Sequence, residues 1–145
     1  NFDYSAFDVV VISDYNKGFL TREEICYIAN NSRISFLDTK KILGPWADPV
    51  TFIKINNIEY ERTEEKITDN LRKKMIVTRG PDGASYLNKT FSVPKVEIKD
   101  TSGAGDTFLA GLALKYVETN NIDVSIDYAN ECATSVVQKK GVAVV

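Results

Sequence analysis

Val9-Val10-Val11-Ile12 is an unbroken apolar run with β-branched side chains, the pattern of a strand buried on both faces in a parallel sheet. Ser13-Asp14-Tyr15-Asn16-Lys17-Gly18 follows as a loop. Thr21, with Glu24 three residues on, forms a capping box that opens a helix to about Ser32, its apolar face carrying Ile25, Ile28 and Ala29. Ile34 to Leu37 predicts a second strand ending in Asp38-Thr39-Lys40. After a Gly44 to Pro49 loop, Thr51 to Ile55 predicts a third, ending at Asn56-Asn57. The charged stretch from Glu59 to Lys74 reads as helix with a solvated face, and Met75 to Thr78 as a fourth strand. Gly80-Pro81-Asp82-Gly83 is a turn, and Ala84–Leu87 with Thr90–Pro94 a hairpin joined near Asn88-Lys89.

Further on, the Gly-rich loop Asp100 to Asp106 runs straight into a helix from Thr107 to about Glu118. A last helix spans Val124 to Lys139, with Ile126, Ala129, Ala133, Val136 and Val137 on its apolar side. Gly141 supplies a left-handed cap, and Val142 to Val145 form a short final strand. Strands alternating with helices predict a layered α/β fold around a mostly parallel sheet.

With 145 residues, 43% of them apolar and 26% charged, the chain has the makings of one domain with a sizeable core. Eighteen basic against twenty acidic side chains leave a net charge of −2, which gives no pull toward nucleic acid or an anionic membrane. No apolar run approaches the roughly 18 residues of a membrane span. The absence of His rules out Ser-His-Asp and Cys-His catalysis and every His-ligated metal site. Cys26 and Cys132, far apart in sequence, read as two buried reduced thiols and place the chain in a reducing, cytoplasmic compartment. No signal peptide is visible, the first residue is Asn1 and the single Met is Met75, so the expectation is a fragment or a processed piece.

Gly103-Ala104-Gly105-Asp106 carries the strongest chemical signal. Uncapped amides at a helix start form an anion site, and small residues let the backbone approach a phosphate. A carboxylate there would repel a passively bound phosphate, but it suits a base that takes a proton from a hydroxyl attacking that phosphate. The same residues also fit an ordinary N-cap Asp after a flexible loop. The pattern is neither Walker A nor GxGxxG. Asn56 and Glu59 follow a strand, where α/β sheets bind ligands, and their oxygens suit Mg²⁺ directly or through its waters. They equally fit a helix cap with Glu at the third position. Thr78-Arg79-Gly80 with Gly83 fits either a loop along a nucleotide or a plain hairpin turn.

The order of these motifs resembles the C-terminal half of ribokinase-like, PfkB-type carbohydrate kinases. Asp100 to Asp106 matches the DTxGAGD signature, Asn56-Asn57-Ile58-Glu59 the NxxE motif, and Thr78 to Gly83 resembles the TxGxxG nucleotide loop. Ala129 to Gly141 resembles the late helix that borders the adenine. Within the family, Ser13 to Gly18 and Asp38-Thr39-Lys40 look most like the kinases of D-glycero-D-manno-heptose 7-phosphate, which carry SDYxKG and DPK; here Thr39 stands for the Pro.

The resemblance implies a ribokinase-like, three-layer α/β/α fold, of which residues 1–145 are the nucleotide-binding and phosphoryl-transfer portion, without the N-terminal sugar-binding half. It implies ATP-dependent phosphorylation of a sugar or sugar-phosphate hydroxyl, heptose 7-phosphate first, with Asp106 as catalytic base. The backbone of Gly103, Ala104 and Gly105 would be its anion hole. Asn56, Thr78, Gly80, Gly83 and Asn130 fall on nucleotide positions, Lys40 on a phosphate position, and Glu59 on the position that organises Mg²⁺ through water. Asp100, Ser102, Val136 and Gly141 fall near a monovalent-cation ring, usually K⁺. A homo-oligomer, commonly a dimer, is implied, with no nucleic-acid or membrane partner. The alternatives are a non-catalytic nucleotide-binding or assembly module, and a sibling kinase of ribose, fructose, a sugar acid or a nucleoside.

Overall fold

The computed structural model describes residues 2–138. Strands β1 (Val10–Asp14), β2 (Ser35–Thr39), β3 (Phe52–Asn56) and β4 (Met75–Thr78) pair in parallel and in chain order. With β5 (Ala84–Tyr86) and β6 (Lys89–Phe91) they make one six-stranded sheet, so the mostly parallel α/β architecture expected from the alternation is the one that forms. Asp14, expected in a loop, instead ends β1, because the ladder extends through Asp14↔Thr39, while Thr39 and Asn56 end β2 and β3 as expected. Polar residues are thereby fixed at the carboxyl ends of adjacent parallel strands.

The chain divides into two compact units, Asn1–Thr78 with Ser85–Lys89, and Arg79–Ala84 with Thr90–Val145. In the first, helix α1 (Arg22–Asn30) starts at the expected capping box: Thr21 Oγ1 accepts from Glu24 N at 3.0 Å, and Glu24 Oε1 accepts from Thr21 N at 2.9 Å. Its Ile25 and Ala29 bury against Ile12, Leu37, Ile53 and Met75 on one sheet face. Phe36 and Phe52 occupy the other face and stack with ring centroids 5.4 Å apart.

The single helix expected from Glu59 to Lys74 is broken in three: α2 (Asn57–Thr63), a 3₁₀ turn at Glu64–Lys66, and α3 (Asp69–Arg72). Ile67 takes extended backbone and buries its side chain, and Thr68 then caps a fresh helix by accepting from Leu71 N. The hairpin is also tighter than expected. Leu87 and Asn88 both adopt left-handed backbone, φ +49° and +64°, the signature of a two-residue type I′ turn. The second strand therefore starts at Lys89 and stops at Phe91, short of Pro94, which has no N–H for a ladder.

In the second unit, α4 (Ala104–Thr119) and α5 (Ile122–Val137) pack against each other. A Cβ on Gly111 would lie 3.1 Å from Cys132 Sγ. Helix α4 begins three residues earlier than expected, because Gly103 at φ +78° caps it with backbone that L side chains rarely adopt. On α5, Ile126 and Ala129 are buried, while Ala133, Val136 and Val137 are half-buried. Both cysteines are free thiols, half-buried rather than buried. The expected Gly141 cap and the strand from Val142 to Val145 lie outside the described residues. Among the described residues, no helix is long and apolar enough to cross a membrane.

Candidate active site

Three ion pairs gather at the carboxyl ends of β1, β2 and β3. Asp14, 5% exposed, closes β1. Its Oδ2 accepts from Thr39 Oγ1 at 2.6 Å and from Lys41 Nζ at 2.7 Å, and its Oδ1 from Asn16 N at 2.9 Å. Burial pushes the Asp14 carboxyl up, but the hydrogen bonds from Lys41, Thr39 and Asn16 outweigh it and hold the group below the usual carboxylate range. Thr39, standing where the resembled heptose kinases carry Pro, supplies a bond that Pro lacks and also accepts from Lys41 N at 3.0 Å. Asp14 is thus engaged by three donors and anchors the Ser13–Gly18 loop at its base.

On the opposite sheet face, Lys54 lies across from Asp38 in the ladder and donates to its Oδ2 at 3.3 Å. Both are largely buried, and Asp38 Oδ1 is buried with no hydrogen-bond partner among the described residues. Burial raises the Asp38 carboxyl, the nearby Glu59 charge adds to the rise, and Lys54 opposes it. Sequence reasoning missed both as a pair. The available signal was Lys54 itself, a single cation inside the otherwise apolar run Phe52-Ile53-Lys54-Ile55, which demands a buried counter-charge.

Asn56 and Glu59 make the helix cap in full: Glu59 N donates to Asn56 Oδ1 at 2.8 Å, and Asn56 N to Glu59 Oε1 at 3.2 Å. The cap leaves Glu59 Oε2 for Lys40, whose ammonium pairs with it. That hydrogen bond raises the lysine above its ordinary value. Glu59 is 6% exposed, whereas the Lys40 side chain is 43% exposed. The structural and the chemical readings of Asn56 and Glu59 are therefore compatible, since one carboxylate oxygen serves each. Hard-oxygen donors and a cation already standing at Glu59 Oε2 suit a divalent cation such as Mg²⁺ held largely through its waters, since among the described residues no three acidic side chains gather to hold a metal directly.

Thr78 ends β4, level with Asn56. In the second unit, Gly80–Asp82 form a 3₁₀ turn closed by Arg79 N donating to Gly83 O at 2.7 Å. Gly83, at φ +85° and ψ −135°, sits so close to β6 that a Cβ would lie 2.0 Å from the Phe91 carbonyl oxygen. Asn130, 6% exposed, donates from Nδ2 to that same oxygen at 2.9 Å. Two expected nucleotide positions, Gly83 and Asn130, are thus joined through one carbonyl.

Asp106 is the third residue of α4 and is exposed, beside the exposed Gly103. Gly103 offers no side chain to the first helical amides, and a Cβ there would meet open space. Ala104 and Gly105 are half-buried between them. The ordinary N-cap reading of Asp106 does not hold, because the cap is Gly103. Asp100 Oδ1 accepts from Ser102 N at 2.8 Å, and this bond lowers the Asp100 carboxyl. Asp100 N and Lys99 N both donate to Val137 O, at 3.3 and 2.7 Å, which brings Asp100 to the end of α5 beside Val136. Gly141, the remaining expected cation position, lies outside the described residues.

The sequence model for the pfkB family carbohydrate kinase matches residues 51–144. The bifunctional protein HldE of Marinomonas sp. (strain MWYL1) is 31% identical over 157 residues, covering 94% of this chain and 33% of that protein. HldE of Sulfurimonas denitrificans is 29% identical over 167 residues, covering 99% and 35%. The chain therefore spans about a third of the length of these relatives. Among solved structures, ribokinase from Thermotoga maritima superposes with a TM-score of 0.80 at 20% identity, over 95% of this chain and 52% of that one. Arabidopsis thaliana ribokinase, solved with ribose and ATP, gives 0.73 at 23% identity, over 93% and 51%. The fold is ribokinase-like, and the chain belongs to the pfkB family of carbohydrate kinases.

Proposed function

We propose that this chain is the nucleotide-binding and phosphoryl-transfer portion of an ATP-dependent sugar kinase, acting on a sugar or sugar-phosphate hydroxyl. D-glycero-D-manno-heptose 7-phosphate is the substrate to test first. The observation that carries the reading is an exposed carboxylate, Asp106, on the first turn of a helix whose leading amides receive no side-chain cap. In this reading the sugar hydroxyl gives its proton to Asp106 as its oxygen attacks the γ-phosphorus. The new O–P bond forms, the β–γ bridging bond breaks, and ADP leaves with that electron pair. The N–H groups at the start of α4, around Gly103, Ala104 and Gly105, meet the negative charge on the transferred group. Thr78, Gly80, Gly83 and Asn130 line the nucleotide, and Lys40 meets phosphate. Glu59 and Asn56 would hold Mg²⁺, which supplies charge neutralisation on the phosphates. The SDYNKG and DTK segments, which resemble those of the heptose 7-phosphate kinases, support the heptose phosphate over other sugars.

The test is an ADP-release assay on the full natural gene product with heptose 7-phosphate, ribose and fructose as acceptors. Asp106→Asn is expected to lower kcat by about 10²–10⁴ while leaving the nucleotide Kd unchanged. Near-normal turnover in that variant removes Asp106 as the base. Nucleotide binding without turnover on any acceptor favours a non-catalytic module.

A further inference from the structure

The Lys40–Glu59 pair has an asymmetry that the proposed chemistry does not use. Glu59 is deeply buried and fixed at both ends: its helix cap takes Oε1, and Lys40 takes Oε2. Lys40 is held at its tip only, with a side chain 43% exposed. Three more charged groups share this neighbourhood. Lys54 is 6% exposed and stays on Asp38, while Asp38 and Arg62 also act on Lys40, one attracting it and the other repelling it. Lys40 is thus the cation in this group with a solvent path away from its partner.

We infer that Lys40 is a displaceable counter-cation of Glu59, a positioning residue that neutralises the buried carboxylate until a divalent cation is bound there and then swings to phosphate oxygens. The inference rests on the sugar-kinase reading for the identity of that cation. The physical reason is charge balance. A buried carboxylate stripped of its partner is strongly unfavourable, so Lys40 leaves Oε2 only as another positive charge takes over. Once off Glu59, the ammonium is a mobile point charge with three donors, suited to phosphate. Two opposite effects on ligand affinity follow. Lys40 competes with a divalent cation for Glu59, and it assists a phosphate-bearing ligand.

The probes are Mn²⁺ without nucleotide, followed by electron paramagnetic resonance, and metal-free ATP in EDTA, followed by calorimetry. Both are applied to the wild-type chain and to Lys40→Met, Lys40→Gln and Lys40→Arg. Lys40→Met and Lys40→Gln are expected to bind Mn²⁺ about 3- to 5-fold more tightly, the scale of one half-exposed ion pair, and to bind metal-free ATP more weakly. Lys40→Arg should stay near wild type for Mn²⁺. Lys40 itself is exposed, and Lys40→Gln, which can still donate to Glu59 Oε2, stands in if loss of the counter-charge melts Lys40→Met early. Equal or weaker Mn²⁺ binding in the neutral variants, or none in any protein, overturns the inference. Neither probe needs sugar or turnover, so failure of the sugar-kinase reading shows separately, as a full natural gene product that binds nucleotide and transfers no phosphoryl group.

Discussion

Gly83→Ala is the sharpest test of the loop after β4. Gly83 has φ +85° and ψ −135°, a region open essentially to glycine, and forcing alanine into it costs about 1–3 kcal/mol. The new Cβ would lie 2.0 Å from the Phe91 carbonyl oxygen and 3.0 Å from its carbon, so the turn or β6 must move by about 1 Å to restore contact distance. Phe91 O is held by Asn130 Nδ2 at 2.9 Å, and Gly83 O by Arg79 N at 2.7 Å. Loosening these two bonds adds about 1 kcal/mol each. The sum, about 3–5 kcal/mol, is a large share of a typical 5–15 kcal/mol stability. Gly80 provides the control: it too has positive φ, +57°, but a Cβ there meets nothing within 4 Å, so Gly80→Ala should cost only about 1–2 kcal/mol. Urea unfolding should show the difference directly, and thermal melting should show a loss of about 10 °C for Gly83→Ala against about 3–5 °C for Gly80→Ala. Equal losses in the two variants would refute the role given to the Phe91 carbonyl.

Two further outcomes are expected. Asp14→Asn should destabilise the protein by about 3 kcal/mol at pH 7, because it leaves the buried Lys41 ammonium without its counter-charge. The Asp14 carboxyl titrates lower in the folded chain than in the unfolded one, so its stabilisation is present above about pH 4 and fades as pH falls through the folded value. The gap between wild type and variant in urea should therefore close toward pH 2, and a gap constant across that range contradicts the pairing. Leu87 is a β-turn residue at φ +49° with a half-exposed side chain, so Leu87→Gly should raise the urea midpoint by the equivalent of about 0.5–1 kcal/mol; a lowered midpoint would show that the leucine packs usefully.

The fold was legible because the runs Val9–Ile12, Ile34–Leu37, Thr51–Ile55 and Met75–Thr78 are too apolar and β-branched for anything but strands, although β1, expected to be buried on both faces, leaves Val11 and Ser13 exposed on one of them. The end of the first run was not, since Asp14 looks like a loop residue and is held in the strand by its ladder to Thr39. The break after Thr63 was also hidden, because the burial of Ile67 overrides the helical run of charges around it. In the site, the capping box of Asn56 and Glu59 was local, three residues apart, and therefore readable. The pairings of Lys40 with Glu59, Lys54 with Asp38 and Lys41 with Asp14 span 19, 16 and 27 residues, and only the sheet register brings them together. Gly103 as the true cap of α4 was obscured by the carboxylate three residues on, a stronger N-terminal signal than glycine.

The chain-order pairing of β1 through β4 has a consequence for how the molecule is made. Val10 meets Ser35, Phe36 meets Phe52, and Ile53 meets Met75, so each partner is the next strand to leave the ribosome. Every closure joins ends separated by a single intervening segment, and its entropy is correspondingly small. Among the described strands β1 to β4, none waits for a mate beyond the next strand, which shortens the interval in which the edges between them can capture a neighbouring nascent chain.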